Sequence, residues 1–165
     1  MNTDMVGRIP AGTLCALLAV TLLACARTLP DSPSAPPSGD GWGSDYEGAL
    51  AAARAANKLV LADFTGSDWC SWCRKLHSEV FETDTFRQWA ARHVILLELD
   101  YPRHTEQGEG LRLQNARLLN KAQVEGFPTV VFWDAAGKEV GRMGYVPGGP
   151  DKWIEHADAV IAAAH

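Results

Sequence analysis

The feature that most constrains this chain is a junction. The apolar run Leu59-Val60-Leu61-Ala62-Asp63-Phe64 is followed within a few residues by Asp68-Trp69-Cys70-Ser71-Trp72-Cys73-Arg74. The run has the length of a strand, and the second stretch opens a segment that reads as helix from about Trp69 to Val80. Two cysteines separated by two residues at such a junction carry a redox signal with a physical basis. The backbone N–H groups of a helix's first turn lack partners inside the helix and favour negative charge. A thiolate at Cys70 would sit among them, and the thiolate is the form of sulfur that attacks disulfides. Cys73, one turn further on, stays close enough to close a disulfide with Cys70 and release a captured substrate.

Other uses of the pair fit less well. Closing so short a loop stabilises a fold by only ~2 kcal/mol, against ~4–5 for a loop of about a hundred residues. A structural zinc site usually takes four ligands, and beyond the N-terminal apolar segment there is no second cysteine pair. An inert buried pair, and a copper-handling pair using Cys70, Cys73 and His77, stay open as alternatives. No spacing of His93, His104, His156 or His165 suggests a metal site, and no cofactor is expected.

The 165 residues suffice for one domain. A net charge of −5 with no basic run argues against a nucleic-acid surface. The segment Ile9 to Ala26 carries Arg8 before it and no charge between Ala11 and Ala24. It is short for a membrane-spanning helix and has the size of a secretory signal's apolar region. Leu22-Leu23-Ala24-Cys25 resembles the bacterial lipoprotein cleavage box. That resemblance implies cleavage before Cys25 and lipidation of its sulfur and amine, several acyl chains giving stable anchoring. An ordinary signal peptide cut near Ala24 or Ala26 is the alternative. Arg27 to Gly43, with Pro30, Pro33, Pro36 and Pro37, reads as a flexible tether. The expected organisation is a signal peptide over 1–24, a lipidated cysteine and tether over 25–43, and a folded domain over 44–165.

Within the domain, Ser44-Asp45-Tyr46-Glu47 is a capping-box pattern that starts an Ala-rich helix to about Asn57. The strand from Lys58 to Phe64 and the cysteine-bearing helix come next, then a helix from Asp84 or Thr85 with Phe86 and Trp89 inward. His93 to Asp100 is a second strand, parallel to the first by the crossover rule. A polar loop over 101–110 precedes a helix from Leu111 to Val124 with Leu111, Leu118, Leu119 and Ala122 on one face. Thr129 to Trp133 and Lys138 to Met143 form a hairpin. A last helix after Pro147-Gly148-Gly149-Pro150 buries Trp153, Ile154, Ala157, Val160 and Ile161.

Three separated features, Asp63-Phe64, Trp69-Cys70-Ser71-Trp72-Cys73 and Gly126-Phe127-Pro128-Thr129, together with this element order, resemble the thioredoxin superfamily. They are similar above all to its exported bacterial members with a W-C-x-W-C motif. The resemblance implies an α/β thioredoxin fold: a mixed sheet of about four strands, βαβ then ββα, flanked by helices, with an extra N-terminal helix. It implies a thiol–disulfide oxidoreductase in which Cys70 attacks, Cys73 resolves, and the two form the disulfide Cys70–Cys73. It implies a cis Pro128 beside them, with the Phe127 backbone and Trp69 in the substrate surface and Trp72 affecting partner choice. Asp63 would correspond to the buried carboxylate that exchanges a proton with the resolving thiol; burial should raise its pKa. His77, one turn after Cys73, could approach the sulfurs, but a surface position is expected for it.

The direction of electron flow is not written in the residues, since ~1.4 kcal/mol moves a two-electron couple by about 30 mV. The resemblance favours reduction or exchange of disulfides in exported proteins, as a monomer, recharged by a membrane electron donor. A redox-inactive binding module on the same fold is the alternative.

Overall fold

The computed structural model describes residues 41–163, and the expected signal peptide, Cys25 and most of the expected tether lie outside them. The elements in chain order are α1 (Tyr46–Ala56), β1 (Leu59–Thr65), α2 (Ser71–Leu76), α3 (Asp84–His93), β2 (Val94–Asp100), α4 (Glu109–Lys121), β3 (Thr129–Trp133), β4 (Glu139–Met143) and α5 (Gly149–Ala162). Helix α2 continues directly into a π-helical turn, His77–Phe81.

The sheet runs β2-β1-β3-β4. β1 is parallel to β2 and antiparallel to β3, and β3 is antiparallel to β4. This is the expected mixed sheet, with β1 central and covered on both faces. Its apolar run is what such a position demands. Leu61, Val130 and Phe132 point to a layer made by α2, the π turn, α3 and α5, where Leu76, Phe81, Phe86 and Trp153 are buried. Val60, Ala62, Phe64, Val131 and Trp133 point the other way, against Tyr46, Leu50 and Ala53 of α1 and Leu118 of α4. Asp63 shares the face of Leu61, because side chains two apart on a strand lie on one side. It therefore faces α2.

Several boundaries differ from the sequence reading. The N-cap of α1 is Asp45, not Ser44: its carboxylate accepts the Gly48 N–H. Gln114 explains the shift, donating to the Ser44 carbonyl while its own carbonyl accepts the Tyr46 N–H. α4 begins two residues early, at Glu109. α2 begins at Ser71, so Trp69 and Cys70 precede the helix rather than lie in it.

Two tether residues belong with the folded part. Gly43 donates to the Leu96 carbonyl and accepts from the Glu98 N–H, covering the free edge of β2 with a parallel bridge. Trp42 is buried against Phe81 and Phe86.

Candidate active site

The cysteine pair stands where β1 hands over to α2. After Thr65 the chain turns through Gly66-Ser67-Asp68, and this turn is held from both sides. Asp100 accepts the backbone N–H of Ser67 at 2.9 Å and its hydroxyl at 2.6 Å. The Asp68 carboxylate accepts the backbone N–H groups of Arg103, His104 and Thr105 at 2.7–3.1 Å. Those bonds, led by the one from Arg103, hold the Asp68 pKa below the usual carboxylate value. Gly66 is required by close approach, since a Cβ there would run into the Trp69 indole. The turn ends with Cys70 donating its backbone N–H to the Gly66 carbonyl.

Cys70 is the N-cap residue of α2, in extended conformation, and its sulfur accepts the Cys73 N–H at 3.1 Å. An N-cap side chain normally satisfies one of the orphan donors of the first turn through oxygen. Here sulfur does so, and a negative sulfur would take the bond better than a neutral one. The two cysteines are joined as a disulfide with Cα atoms 5.3 Å apart. Cys70 is 6% exposed and Cys73 1%, so the first of the pair is the one solvent reaches.

Aromatic side chains frame the pair. Trp69 donates its indole N–H to the Tyr101 carbonyl, meets Phe127 edge to face at 5.5 Å, and carries the Arg103 guanidinium 3.7 Å above its ring. The Phe127–Pro128 peptide is cis. A groove of about 630 Å³ bordered by Gly126, Pro128, Thr129, Arg142 and Met143 runs alongside. Trp72 is 55% exposed, packs on Tyr145, and shares the Lys75 ammonium with it at 5.2 Å from each ring.

Beneath the helix lies a pair that the sequence reading did not assemble. Asp63 is fully buried, and its Oδ2 lies 2.8 Å from His77 Nε2. The other oxygen, Oδ1, is buried without a hydrogen-bond partner. His77 is therefore not a surface histidine; its side chain is 24% exposed, stacks on Trp42 and meets Phe81 edge to face. Burial pushes the Asp63 pKa up, and the His77 bond and charge pull it back only in part. For His77, burial favours the neutral ring, but the Asp63 bond and charge, with Glu98 and Glu82, outweigh it and raise its pKa. The spacing held the clue: residues four apart share a helix face, so His77 faces the same way as the buried Cys73, toward the sheet.

Among the described residues no group of three or more His, Cys, Asp or Glu side chains is arranged to hold a metal ion. A disulfide-forming CxxC at a helix N-terminus, with a buried carboxylate bonded to His77 of the same helical segment and Trp69 packed on the cis-proline loop, defines a thiol–disulfide oxidoreductase on a thioredoxin fold.

The family model described as thioredoxin-like domain matches residues 46–158. The chain belongs to this family. It is 36% identical to the disulfide bond reductase DsbH of Chlamydia pneumoniae over 73% of this chain and 72% of that protein. It is 33% identical to the thiol:disulfide interchange protein DsbD of Vibrio vulnificus over 67% of this chain, but spans only 17% of that protein's length. A solved structure of a DsbH oxidoreductase superposes with a TM-score of 0.71 at 33% identity, covering 84% of this chain and 92% of that one.

Proposed function

We propose that the protein reduces or exchanges disulfides of exported proteins, with Cys70 as attacking and Cys73 as resolving sulfur. The single observation that carries this assignment of roles is the Cys73 N–H directed at the Cys70 sulfur, on the more exposed of the two cysteines. In the first step the Cys70 thiolate forms a mixed disulfide with substrate and expels one substrate thiolate. In the second, Cys73 gives up its proton to Asp63, displaces the substrate's remaining sulfur from Cys70, and closes the intramolecular disulfide. Trp69, Trp72, Phe127 and Pro128 form the surface on which the substrate chain lies, beside the groove at Pro128.

Support for the reducing direction comes from the relatives, since one is named a disulfide bond reductase and another an interchange protein. Equilibration of the Cys70–Cys73 pair against glutathione tests it. A reductase should have a potential near thioredoxin's, about −270 mV, and one near about −120 mV would make it an oxidant. A reductase in an oxidising compartment must itself be recharged, and a membrane electron carrier is the proposed donor.

The address rests on the sequence. Cys25 is the proposed lipidation site, with residues 25–43 as the tether of a domain held on the extracytoplasmic side of a bacterial membrane. Among the described residues no helix is long and apolar enough to cross a membrane. Cys25→Ser should move the protein from the membrane fraction to the soluble one. Retention in the membrane by the substituted protein would rule the lipid anchor out.

A further inference from the structure

The resolving step has a proton to dispose of, and its proposed acceptor is sealed in. Asp63 has no exposed surface, and one of its oxygens is bonded to a single ring nitrogen. A carboxylate so placed can hold that proton until the pair is reduced again, but exchange of the proton with solvent needs a path through the wall of the site. Among the described residues, His77 touches both Asp63 and the outside. His77 holds Oδ2 through Nε2 and also lines a cavity of about 370 Å³, together with Thr65, Ser67, Arg74, Ser78 and Glu98. With Nε2 engaged, Nδ1 is the ring nitrogen left to exchange protons there.

We infer that His77 is a positioning residue that conducts the proton of Cys73 from Asp63 to the cavity, and back when the pair is reduced again. The inference rests on the disulfide-exchange reading above. Its step balances as follows. The Cys73 S–H bond breaks, and its electron pair forms the bond to the Cys70 sulfur. The bond between Cys70 and the substrate sulfur breaks, and the substrate leaves as thiolate. The proton goes to Asp63 Oδ1, while the imidazolium releases its Nδ1 proton to the cavity. The cysteine pair loses two electrons to the substrate disulfide, which is the oxidant.

Three features favour this over a merely structural bond. Oδ1, buried and without a hydrogen-bond partner, remains able to accept. The turn that begins at His77 is π-helical, a local widening that is frequent at functional sites. Trp42, which precedes the family-matched region, stacks on the ring with centroids 6.1 Å apart and confines it between the strap and Phe81. The charges facing the pair are Asp100 and Glu98 from β2, and Arg74 and Glu82 from the helical segment. Glu98 and Glu82, like Asp63, favour the protonated ring, and two groups in such direct contact titrate as one coupled unit.

The test follows both chemical steps in rapid-mixing experiments between pH 5 and 9, using a disulfide-linked peptide and the reduced full chain. In His77→Gln, attack by Cys70 should stay within about twofold of the parent. Closure of the Cys70–Cys73 bond should slow about tenfold or more near pH 7, recovering as hydroxide takes over. Added imidazole should restore the closure rate of His77→Ala. A parent-like closure rate and pH profile in His77→Gln overturns the inference while leaving disulfide exchange standing. Absence of attack in the parent overturns the exchange reading itself. Should either variant fold poorly, NMR titration of the His77 ring in the parent decides. Its ionisation should differ between the oxidised and reduced forms, and identical titrations overturn the inference.

Discussion

Cys70→Ser should bring catalysed disulfide reduction down to the uncatalysed background, whereas Cys73→Ser should still attack substrate once and then stop. The asymmetry follows from position. Cys70 is the N-cap residue whose sulfur receives the Cys73 N–H, and it is the more exposed of the two. A hydroxyl at Cys70 accepts the same hydrogen bond but has no accessible anion near neutral pH, so the nucleophile is lost with the fold intact. Replacing Cys73 leaves that nucleophile in place and removes the group that displaces the captured chain. The Cys73→Ser protein should therefore accumulate a stable mixed disulfide with substrate, visible by mass spectrometry as a one-to-one adduct at Cys70. Adducts formed at Cys73 in Cys70→Ser, at comparable rate, would reverse the roles. Either change forgoes the short-loop cross-link of the oxidised form, a loss of only ~2 kcal/mol. Loss of activity therefore should not coincide with unfolding.

The second large effect is expected at Asp63. Asp63→Asn keeps the size and can still bond to His77, but it has no exchangeable acid. Closure of the disulfide should slow ~10²-fold near neutral pH, the usual scale for a positioned proton acceptor. Stability should respond to pH with a definite sign. Burial raises the folded-state pKa of Asp63, and Asp63 with Glu98 and Glu82 raises that of His77. In each window between the unfolded and the raised folded value, the native state binds more protons than the unfolded chain. Stability is then full below the unfolded value and falls as pH rises through the folded one. The parent should lose stability in two stretches, one starting at the ordinary carboxylate value of 3.8 and one at the ordinary histidine value of 6.5. Asp63→Asn should abolish the first and shrink the second. Urea midpoints measured from pH 4 to 9 check this, and an unchanged slope in the variant would show that burial does not raise the folded-state pKa of Asp63.

Much of the site could be read before any tertiary contact was known. The strand β1, the cysteine pair at the mouth of α2 and the loop at Phe127-Pro128 each depend on residues close together in sequence. An apolar run too short for a buried helix, followed by Cys-x-x-Cys, implies a strand feeding a helix wherever it occurs. The inward faces of α3 and α5 were legible for the same reason, helical period against the burial of Phe86, Trp89, Trp153 and Ala157. Errors came where a distant group intervened. Gln114 displaced the cap of α1 by one residue, and Gly43 paired with β2 although its composition belongs to a tether.

What the residues determined by themselves was the chemistry available: two sulfurs one helical turn apart, an acid in an apolar strand, and a proline before the hairpin. What only the tertiary structure decided was which groups are brought together around it. Asp63 and His77 are 14 positions apart and meet only because α2 packs back over β1. Trp42 reaches the same ring from a strap bridged to the edge of β2, and Asp68 finds its three N–H donors in the loop beyond that strand. Periodicity and spacing act over a few residues, whereas these contacts are set by how the layers stack, which no local pattern encodes.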